Sequence, residues 1–559
     1  MAMGFKEQIE EAVKKEVKED ISLEIPPDPS LGDYALPCFK LCRIYKKSPN
    51  EIANELSKKI KPGKIVEKVA VNGPYINFFI KKEALAEDIL KKVIEEKEKF
   101  GSKKIKNKKA LIEHTSINPN ASPHVGRARN AVIGDALARL FKFQGYKVET
   151  HYFVNDVGKQ IAMLVLGCGK RKKVSFDDLL GIYIDANKKI EKNPELEKDI
   201  FEILNKLESC DKKTVGDFRK IVSVCIDGQK KILSELGIEY DYFDYESDYL
   251  WSKETEKMIE SLKKTGKLFK DEQGRYVLDQ KEFNLAMKSA VLVLTRADKT
   301  SLYPLRDLAY TIEKIKKGYD RNIIVLGEDQ KLYFQQLSAA LSIMNYKAPE
   351  VVHYSFVLLK EGKMSTRQGN LVLLEHFMEE AAKKAEKEII KRNKKIQKST
   401  LRKLAKAIGY GAIKYGIIRV SPEKNVTFDW QHALSFEGDT GPYLQYSHAR
   451  ICSILRKHGK KISKRVDYSL LKGSEELSLV NQLSEFPNAV EHASSSLKPH
   501  VIANYLYSLA KNLNEFYHAC PILKEKKELK NARLLLISCV KQALANGLNI
   551  LGIEPLERM

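Results

Sequence analysis

The stretch Glu113-His114-Thr115-Ser116-Ile117-Asn118-Pro119-Asn120-Ala121-Ser122-Pro123-His124-Val125-Gly126-Arg127 decides the fold through what stands on either side of it. The apolar run at 110–112 indicates a buried strand. Residues 128–144 have apolar side chains at helical spacing, and Gly145 is placed to end that helix. Residues 147–154 indicate a second strand. This order predicts a parallel sheet, in which ligands bind at the carboxyl ends of the strands.

The end of this loop suits a nucleotide. Pro123 stiffens the chain, and Gly126 lets a base or phosphate approach the backbone where the helix begins. His124 offers an N–H donor at the same place, and Arg127 offers a permanent positive charge. A Rossmann-like turn with an incidental histidine would look the same, so these residues alone leave both interpretations open.

Length and charge set the broad class of protein. A chain of 559 residues is too long for one core and predicts two to four domains. The formal net charge of +23 favours a polyanionic partner such as nucleic acid, with solvated Lys-rich helix faces as an equal alternative. The eight cysteines form no Cys-x-x-Cys pair, which predicts a reducing compartment and no structural metal. Without an apolar run of ~18 residues or a signal peptide, we expect a cytoplasmic protein with no membrane partner.

Three domains are predicted, giving a multidomain α/β protein. Residues 1–105 indicate a small α+β domain, with a helix at 5–21, a turn at 31–35 and strand-like residues at 69–80. Residues 399–559 are mostly helical by pattern, which predicts an all-α C-terminal domain.

The middle of the chain, residues 106–398, is predicted to be a Rossmann-like parallel-sheet domain. Charged, helix-like segments indicate an insertion at about 170–290, after which we expect the sheet to resume at 290–294. Short apolar strands are predicted at 323–326 and 351–359.

Two carboxylates stand at the predicted ligand edge. Glu113 ends an apolar strand, where a charge is costly, and Asp307 lies at the start of a predicted helix. Together they favour a cationic substrate, because a buried guanidinium needs carboxylate partners. Asp307 by itself is also typical of a helix N-cap, and that alternative stays open.

Two motifs together resemble those of class I aminoacyl-tRNA synthetases. His124-Val125-Gly126-Arg127 resembles their His-x-Gly-His motif, with arginine in the fourth position. About 240 residues later, Lys363-Met364-Ser365-Thr366-Arg367 resembles Lys-Met-Ser-Lys, with Thr366 in place of the second lysine; alone it would be an ordinary surface turn. The resemblance implies ATP with Mg²⁺ as a substrate and catalytic roles for His124, Arg127, Lys363 and Arg367. It implies ATP contacts from Pro123, His124, Gly126, Arg127, Lys363, Met364 and Ser365.

Further elements along the whole chain resemble arginyl-tRNA synthetases. They are Gly32-Asp33-Tyr34-Ala35, Gly73-Pro74-Tyr75-Ile76-Asn77-Phe78, the Tyr-x-x-Arg-Asp element at 303–307, Asp439-Thr440-Gly441-Pro442-Tyr443-Leu444-Gln445-Tyr446-Ser447-His448-Ala449-Arg450, and the ending at 551–559. The resemblance implies an enzyme that joins L-arginine to its cognate tRNA through an arginyl-adenylate, with transfer to the 2′-hydroxyl of the terminal adenosine. It also implies that activation requires bound tRNA, and we expect a monomer.

The resemblance assigns further residues to substrates. Asp307 and Tyr303 meet the guanidinium, while Glu113 meets a charged end of arginine. The whole arginine set is Glu113, Ser116, Asn118, His124, Tyr303, Asp307 and Gln330, with Ser116, Asn118 and Gln330 on the α-amino and carboxylate groups.

The tRNA contacts implied by the resemblance lie at both ends of the chain. Asn77 meets the tRNA elbow, and Tyr443, Tyr446 and Met559 meet the anticodon loop, where aromatic faces stack on splayed bases. Without the resemblance, Asn77 is typical of a strand-end residue that bonds backbone groups, and the two tyrosines are typical of a core stripe.

Two alternatives remain at this point. One is a class I synthetase for another amino acid, which the pair Glu113 and Asp307 disfavours. The other is a synthetase-like RNA-binding paralog without chemistry, which Arg127 and Thr366 keep open.

Overall fold

The structure is a computed structural model that describes every residue except 1–4, 18, 20, 25, 27, 29–30, 62, 64, 170, 172, 288–289, 360–371 and 393–394. Its residues group into two compact units. The first contains residues 1–98, 454–485 and 511–543, and the second contains residues 99–453, 486–510 and 544–559.

The N-terminal part is an antiparallel sheet with helices packed on it. Its elements are α1 (Phe5–Val17), β1 (Tyr34–Pro37), α2 (Cys42–Tyr45), α3 (Pro49–Lys59), β2 (Val66–Asn72), β3 (Tyr75–Ile80) and α4 (Lys82–Glu96). The strand order is β1-β3-β2. The turn predicted at 31–35 is wrong, because β1 already starts at Tyr34 and pairs with β3. Such a short strand depends on a partner about forty residues away, so local pattern does not reveal it.

The second unit begins with the predicted strand–loop–helix–strand segment. Its elements up to residue 263 are β4 (Lys109–Glu113), α5 (Val125–Gln144), β5 (Lys147–Val154), α6 (Lys159–Cys168), α7 (Phe176–Lys192), α8 (Leu196–Glu208), α9 (Lys212–Glu235), β6 (Tyr242–Tyr245), α10 (Glu246–Trp251) and α11 (Glu254–Lys263). Its elements between residues 268 and 433 are β7 (Leu268–Lys270), β8 (Tyr276–Asp279), β9 (Val291–Val293), α12 (Tyr303–Lys316), β10 (Arg321–Gly327), α13 (Lys331–Ile343), β11 (Glu350–Tyr354), β12 (Val357–Leu359), α14 (Leu374–Arg392), α15 (Lys398–Ile418), β13 (Val426–Phe428) and α16 (Trp430–Ala433).

A five-stranded parallel sheet confirms the predicted Rossmann-like architecture. Its strand order is β11-β10-β4-β5-β6, and all four neighbouring pairs are parallel. Because α5 packs against β4, β5 and β10, its apolar face at Ile133, Leu137 and Phe141 is fully buried.

The sheet continues earlier than predicted. β6 lies within the predicted insertion at about 170–290, yet it pairs with β5 from His151↔Tyr242 to Val154↔Tyr245. The apolar run at 290–294 instead forms β9 of a separate antiparallel sheet, β7-β8-β9. β6 is a partly exposed edge strand without an apolar run, whereas β9 is apolar because it packs on α12. The strand predicted at 351–359 is likewise two strands, since β12 pairs with β13.

The C-terminal part is helical, as predicted. Its helices are α17 (Gly441–His458), α18 (Ser474–Ser484), α19 (Phe486–Ser496), α20 (His500–Ala519) and α21 (Lys527–Ile550). Within the described residues, none of the helices has the length and apolar character needed to cross a membrane. The same residues contain no cluster of three His, Cys, Asp or Glu side chains arranged to hold a metal ion.

Candidate active site

Four segments of the chain leave the parallel sheet at its carboxyl edge. They come directly after β10, β4, β5 and β6, which are neighbours in that order. The loop after β4 is residues 114–124, and we call it the first-motif loop. Because parallel strands end on the same side, this edge gathers residues that are far apart in sequence.

The first-motif loop turns sharply as soon as β4 ends. Thr115 and Ser116 have φ values of 77° and 43°, a left-handed conformation that costs free energy in residues other than glycine. The Thr115 N–H donates to Asn130 Oδ1 at 2.6 Å, and Asn130 Nδ2 donates to the Val325 carbonyl at 2.9 Å. Buried Asn130 therefore holds the turn and ties it to β10.

His124 stands at the N-terminus of α5, where helix dipoles attract anions. Burial, and to a smaller extent the charge of Arg127, lower the pKa of His124 to about 4. At neutral pH its imidazole is therefore uncharged and carries one donor and one acceptor nitrogen. Nδ1 is buried and has no hydrogen-bond partner among the described atoms.

The second motif lies outside the described residues, which end at 359 and resume at 372. This applies to Lys363, Met364, Ser365, Thr366 and Arg367. The chain immediately after it is bonded to the first motif. The Val125 N–H donates to the Val372 carbonyl at 3.0 Å, and the Leu374 N–H donates to the Pro123 carbonyl at 2.8 Å. These two bonds place residues 372–374, which follow the second motif in the sequence, beside His124.

Asp307 and Tyr303 form a cluster with Tyr333, a residue that sequence reasoning missed. Tyr303 is 52% exposed, and its ring centroid lies 5.0 Å from that of Tyr333. The Tyr333 hydroxyl donates to Asp307 Oδ2 at 2.5 Å. The N-cap of α12 is Leu302, so Asp307 lies inside the helix and the N-cap alternative for it is wrong.

The Asp307 carboxyl has an unusual electrostatic setting. Burial is the largest cause that raises its pKa to about 7, and repulsion from Glu246 is the second. The hydrogen bond from Tyr333 and the charge of Arg306 act in the opposite direction and lower the pKa. The side chain is only partly covered, so solvent or a ligand can reach it.

The other two carboxylates nearby already have cationic partners. Glu113 forms a buried ion pair with Lys314, whose ammonium also lies 4.1 Å from the centroid of the Tyr310 ring. Glu246 accepts from Arg306 Nε at 2.7 Å, and both side chains are buried. Asp307 differs because its hydrogen-bond partner, Tyr333, is neutral.

The other predicted arginine residues line the same edge. Asn118 is exposed, and its Nδ2 donates to Gln160 Oε1 at 3.1 Å. Ser116 is half-buried in the turn after β4, and Gln330 is exposed just after β10. Gln160 was missed by sequence reasoning, although it lies just after β5 at the predicted edge.

Lys314 was also missed, and here a sequence signal existed. It lies seven residues after Asp307 and four after Tyr310, so the three side chains share one face of α12. A cation on that face is a natural partner for Glu113, which ends the neighbouring strand β4. For Tyr333 we find no comparable signal.

The residues predicted to meet tRNA differ in exposure. Tyr443 and Tyr446 are both partly exposed on α17, and the Tyr443 hydroxyl donates to the Ala510 carbonyl at 3.2 Å. Met559 is partly buried against an apolar cluster that includes Leu556. Asn77 lies in the central strand β3 and is only 4% exposed. Little of its side chain is therefore open to RNA, and the contact through Asn77 stays a prediction.

The chain is similar to known proteins from its N-terminal to its C-terminal part. A family profile described as tRNA synthetases class I (R), catalytic domain, matches residues 89–430. Profiles of the arginyl tRNA synthetase N terminal domain and of the DALR anticodon binding domain match residues 3–80 and 444–559.

Individual proteins agree with these profiles. The chain is 41% identical to the arginine–tRNA ligase of Methanococcus aeolicus over 98% of this chain and 97% of that protein. It is 40% identical to the arginine–tRNA ligase of Methanocaldococcus jannaschii over 100% of this chain and 98% of that protein. The solved arginyl-tRNA synthetase of Thermus thermophilus superposes with a TM-score of 0.82 at 28% identity and covers 99% of both chains. The chain therefore belongs to the class I arginyl-tRNA synthetase family.

Proposed function

We propose that this protein joins L-arginine to its cognate tRNA in two steps. The arginine carboxylate first attacks the α-phosphate of magnesium-bound ATP, forming an oxygen–phosphorus bond and releasing pyrophosphate as the bond to the bridging oxygen breaks. The 2′-hydroxyl of the terminal adenosine of tRNA then attacks the carbonyl carbon of arginyl-adenylate, and AMP leaves. The first nucleophile is already ionised, so the protein contributes positioning and charge stabilisation rather than a general base.

The charge balance around Asp307 supports arginine as the amino acid. Lys314 and Arg306 form ion pairs with the neighbouring carboxylates, whereas the hydrogen-bond partner of Asp307 within the described part of the chain is the neutral hydroxyl of Tyr333. A substrate guanidinium would supply the missing cation, and its planar fork fits a carboxylate. The exposed ring of Tyr303 offers a face on which that group can stack. A neutral side chain would leave Asp307 without a counter-ion.

The remaining arginine contacts are proposed on the basis of position. Ser116, Asn118 and Gln330 would bind the α-amino and carboxylate groups, since they come after neighbouring strands at the same sheet edge. Glu113 would face a charged end of arginine while Lys314 holds one of its oxygens.

Phosphate chemistry is assigned to the two motifs. His124 would donate to the α-phosphate in the transition state, and its neutral state makes it a donor without a fixed charge. Arg127 would supply a permanent charge at the position where the His-x-Gly-His motif has its second histidine. Lys363 and Arg367 would neutralise the departing pyrophosphate. The bonds between residues 123–125 and residues 372–374 support this, because residues 372–374 follow the second motif in the sequence and these bonds keep them next to His124.

Binding of tRNA is assigned to the helical C-terminal part. Tyr443, Tyr446 and Met559 would contact the anticodon loop, which the shared partly exposed face of α17 supports. We further propose that the protein acts as a monomer in the cytoplasm, where its three substrates meet.

Exchange of labelled pyrophosphate into ATP tests the proposal. We expect exchange with arginine and with no other amino acid of a full panel, and only when cognate tRNA is present. Exchange with a different amino acid would overturn the role of Asp307. Tight tRNA binding without any exchange would identify an RNA-binding paralog, with Arg127 and Thr366 as marks of lost catalysis.

A further inference from the structure

One buried side chain of the helical insertion reaches the first-motif loop. This is Gln229 of α9, which is 1% exposed. Its Nε2 donates to the carbonyl oxygens of Ala121 at 2.9 Å and Asn118 at 3.2 Å. Its Oε1 accepts from the hydroxyl of Tyr152, a buried residue of β5, at 2.8 Å.

Tyr152 extends this contact along the loop. Its hydroxyl oxygen accepts from the Ile117 N–H at 3.0 Å. The hydroxyl has a single hydrogen to donate, and the Gln229 oxygen at 2.8 Å is a closer acceptor than the Ile117 carbonyl at 3.1 Å. Gln229 and Tyr152 together therefore bind backbone groups of three loop residues: Ile117, Asn118 and Ala121.

These bonds matter because the loop has no regular secondary structure. Among the described residues, the Ile117 N–H and the Ala121 carbonyl bond to side chains rather than to a strand ladder, and a buried carbonyl left unpaired is costly. The contacts are to the backbone, so they set the path of the chain. Asn118 belongs to this bonded part of the loop, and His124 follows Ala121 by only three residues, so the path of the chain sets the positions of both side chains. In enzyme sites, displacement of a reacting group by about 1 Å can cost about 10²-fold in rate.

We propose that Gln229 is a positioning residue for the ligation reaction, holding the first-motif loop so that Asn118 and His124 meet their substrates. The inference rests on the proposed function and adds to it a task for the insertion. Glutamine suits this place because its amide hydrogens reach two carbonyls while its oxygen accepts from the tyrosine hydroxyl. Glutamate has the same shape, but it donates once when protonated and not at all when ionised.

The test compares three variants in the single-turnover release of pyrophosphate from ATP, with arginine and cognate tRNA bound and with rates expressed per titrated active site. Gln229→Leu removes all three bonds, and Gln229→Glu removes one or both donors according to pH. Val222→Ala is the matched control, because it opens a cavity two turns away on the same buried face of α9 and its side chain cannot hydrogen-bond to the loop.

We expect Gln229→Leu to slow the single-turnover rate by about 10²-fold, while Val222→Ala stays within about threefold at a similar loss of melting temperature. The rate of Gln229→Glu relative to the parent protein should fall between pH 6 and pH 8.5, as its carboxyl ionises. If Gln229→Leu does not fold, the pH profile of Gln229→Glu still tests the role of Gln229.

Three results would overturn the inference. The first is a Gln229→Leu enzyme with the parent rate per active site. The second is a Val222→Ala enzyme that is slowed equally. The third is a Gln229→Glu enzyme whose rate relative to the parent protein does not change with pH. If the parent protein itself shows no arginine-dependent exchange, the proposed function fails and this inference falls with it.

Discussion

Replacing Asp307 by asparagine should weaken arginine binding and leave the KM for ATP unchanged. Asparagine keeps the shape of the side chain and an oxygen that can accept from the Tyr333 hydroxyl. It removes the negative charge that faces the substrate guanidinium. Glu113 and Glu246 cannot replace this charge, because Lys314 and Arg306 already neutralise them.

The size of the effect depends on the setting of Asp307. Truncating one partner of a buried, hydrogen-bonded charge pair costs about 2–5 kcal/mol. Asp307 is partly covered and the adjacent Tyr303 is exposed, so some water remains near the pair and the lower part of the range applies. We therefore expect a loss of about 2–3.5 kcal/mol, which corresponds to a rise in the arginine KM of about 30-fold to 400-fold.

The effect should also depend on pH. The pKa of Asp307 is raised to about 7, chiefly by burial. Arginine binds the ionised carboxylate, and its guanidinium keeps its charge throughout. As the pH falls below 7, protonation of Asp307 should raise the arginine KM by about tenfold per pH unit. Above pH 8 the KM should be constant. The asparagine variant has no such group, so its KM should stay flat.

The assay is tRNA-dependent pyrophosphate exchange at pH 6, 7 and 8. Asp248→Asn is a suitable control, because Asp248 is an exposed carboxylate of α10, which directly follows β6 at the same sheet edge. It should behave like the parent protein. The reasoning is refuted if Asp307→Asn leaves the arginine KM unchanged, or if it retains the pH dependence of the parent.

Two further variants test the neighbouring groups. His124→Ala should lower kcat by about 10²–10³-fold with the KM for both small substrates nearly unchanged, as for loss of one transition-state donor; an effect confined to KM would contradict its role. Lys314→Met should destabilise the protein by about 3–5 kcal/mol in thermal or denaturant unfolding, because it leaves Glu113 buried and unpaired. The double variant Lys314→Met with Glu113→Gln should recover part of that stability. If the single and the double variant lose the same free energy of unfolding, the broken ion pair is not the cause.

The centre of the sheet was predictable because its signals are local. β4, α5 and β5 each carry an apolar period that a short window reveals, and their bounds differ little from those expected. The edge strand β6 was not predictable. It is four residues long, Asp244 interrupts its aromatic residues, and its partner β5 lies about 90 residues earlier in the chain. The apolar run of β9 was assigned to the wrong sheet because burial against α12 looks the same in sequence as burial within the parallel sheet.

The site divides in the same way. Residue types at the sheet edge and the family motifs predict which side chains face the substrates, and these roles stay predictions. Glu113 pairs with Lys314, which lies 201 residues away, and the place of Lys314 on the same face of α12 as Asp307 was a signal for this pair. Gln229 could not be predicted, because it reaches Asn118 from 111 residues away. Such contacts depend on how helices pack on the sheet, which no local period encodes.

The raised pKa of Asp307 has a consequence for the proposed binding of arginine. A buried carboxylate with no counter-ion is costly, and among the described residues Glu113 and Glu246 form ion pairs whereas Asp307 is hydrogen-bonded to the neutral Tyr333. With a pKa of about 7, Asp307 is protonated in part of the molecules before arginine binds, so less buried charge is left uncompensated. Arginine must then displace that proton, so its binding at pH 7 should release about half a proton. Calorimetric titration in buffers of different ionisation enthalpy measures this release. Binding without proton release would show that Asp307 is ionised before arginine arrives, and that another group neutralises it.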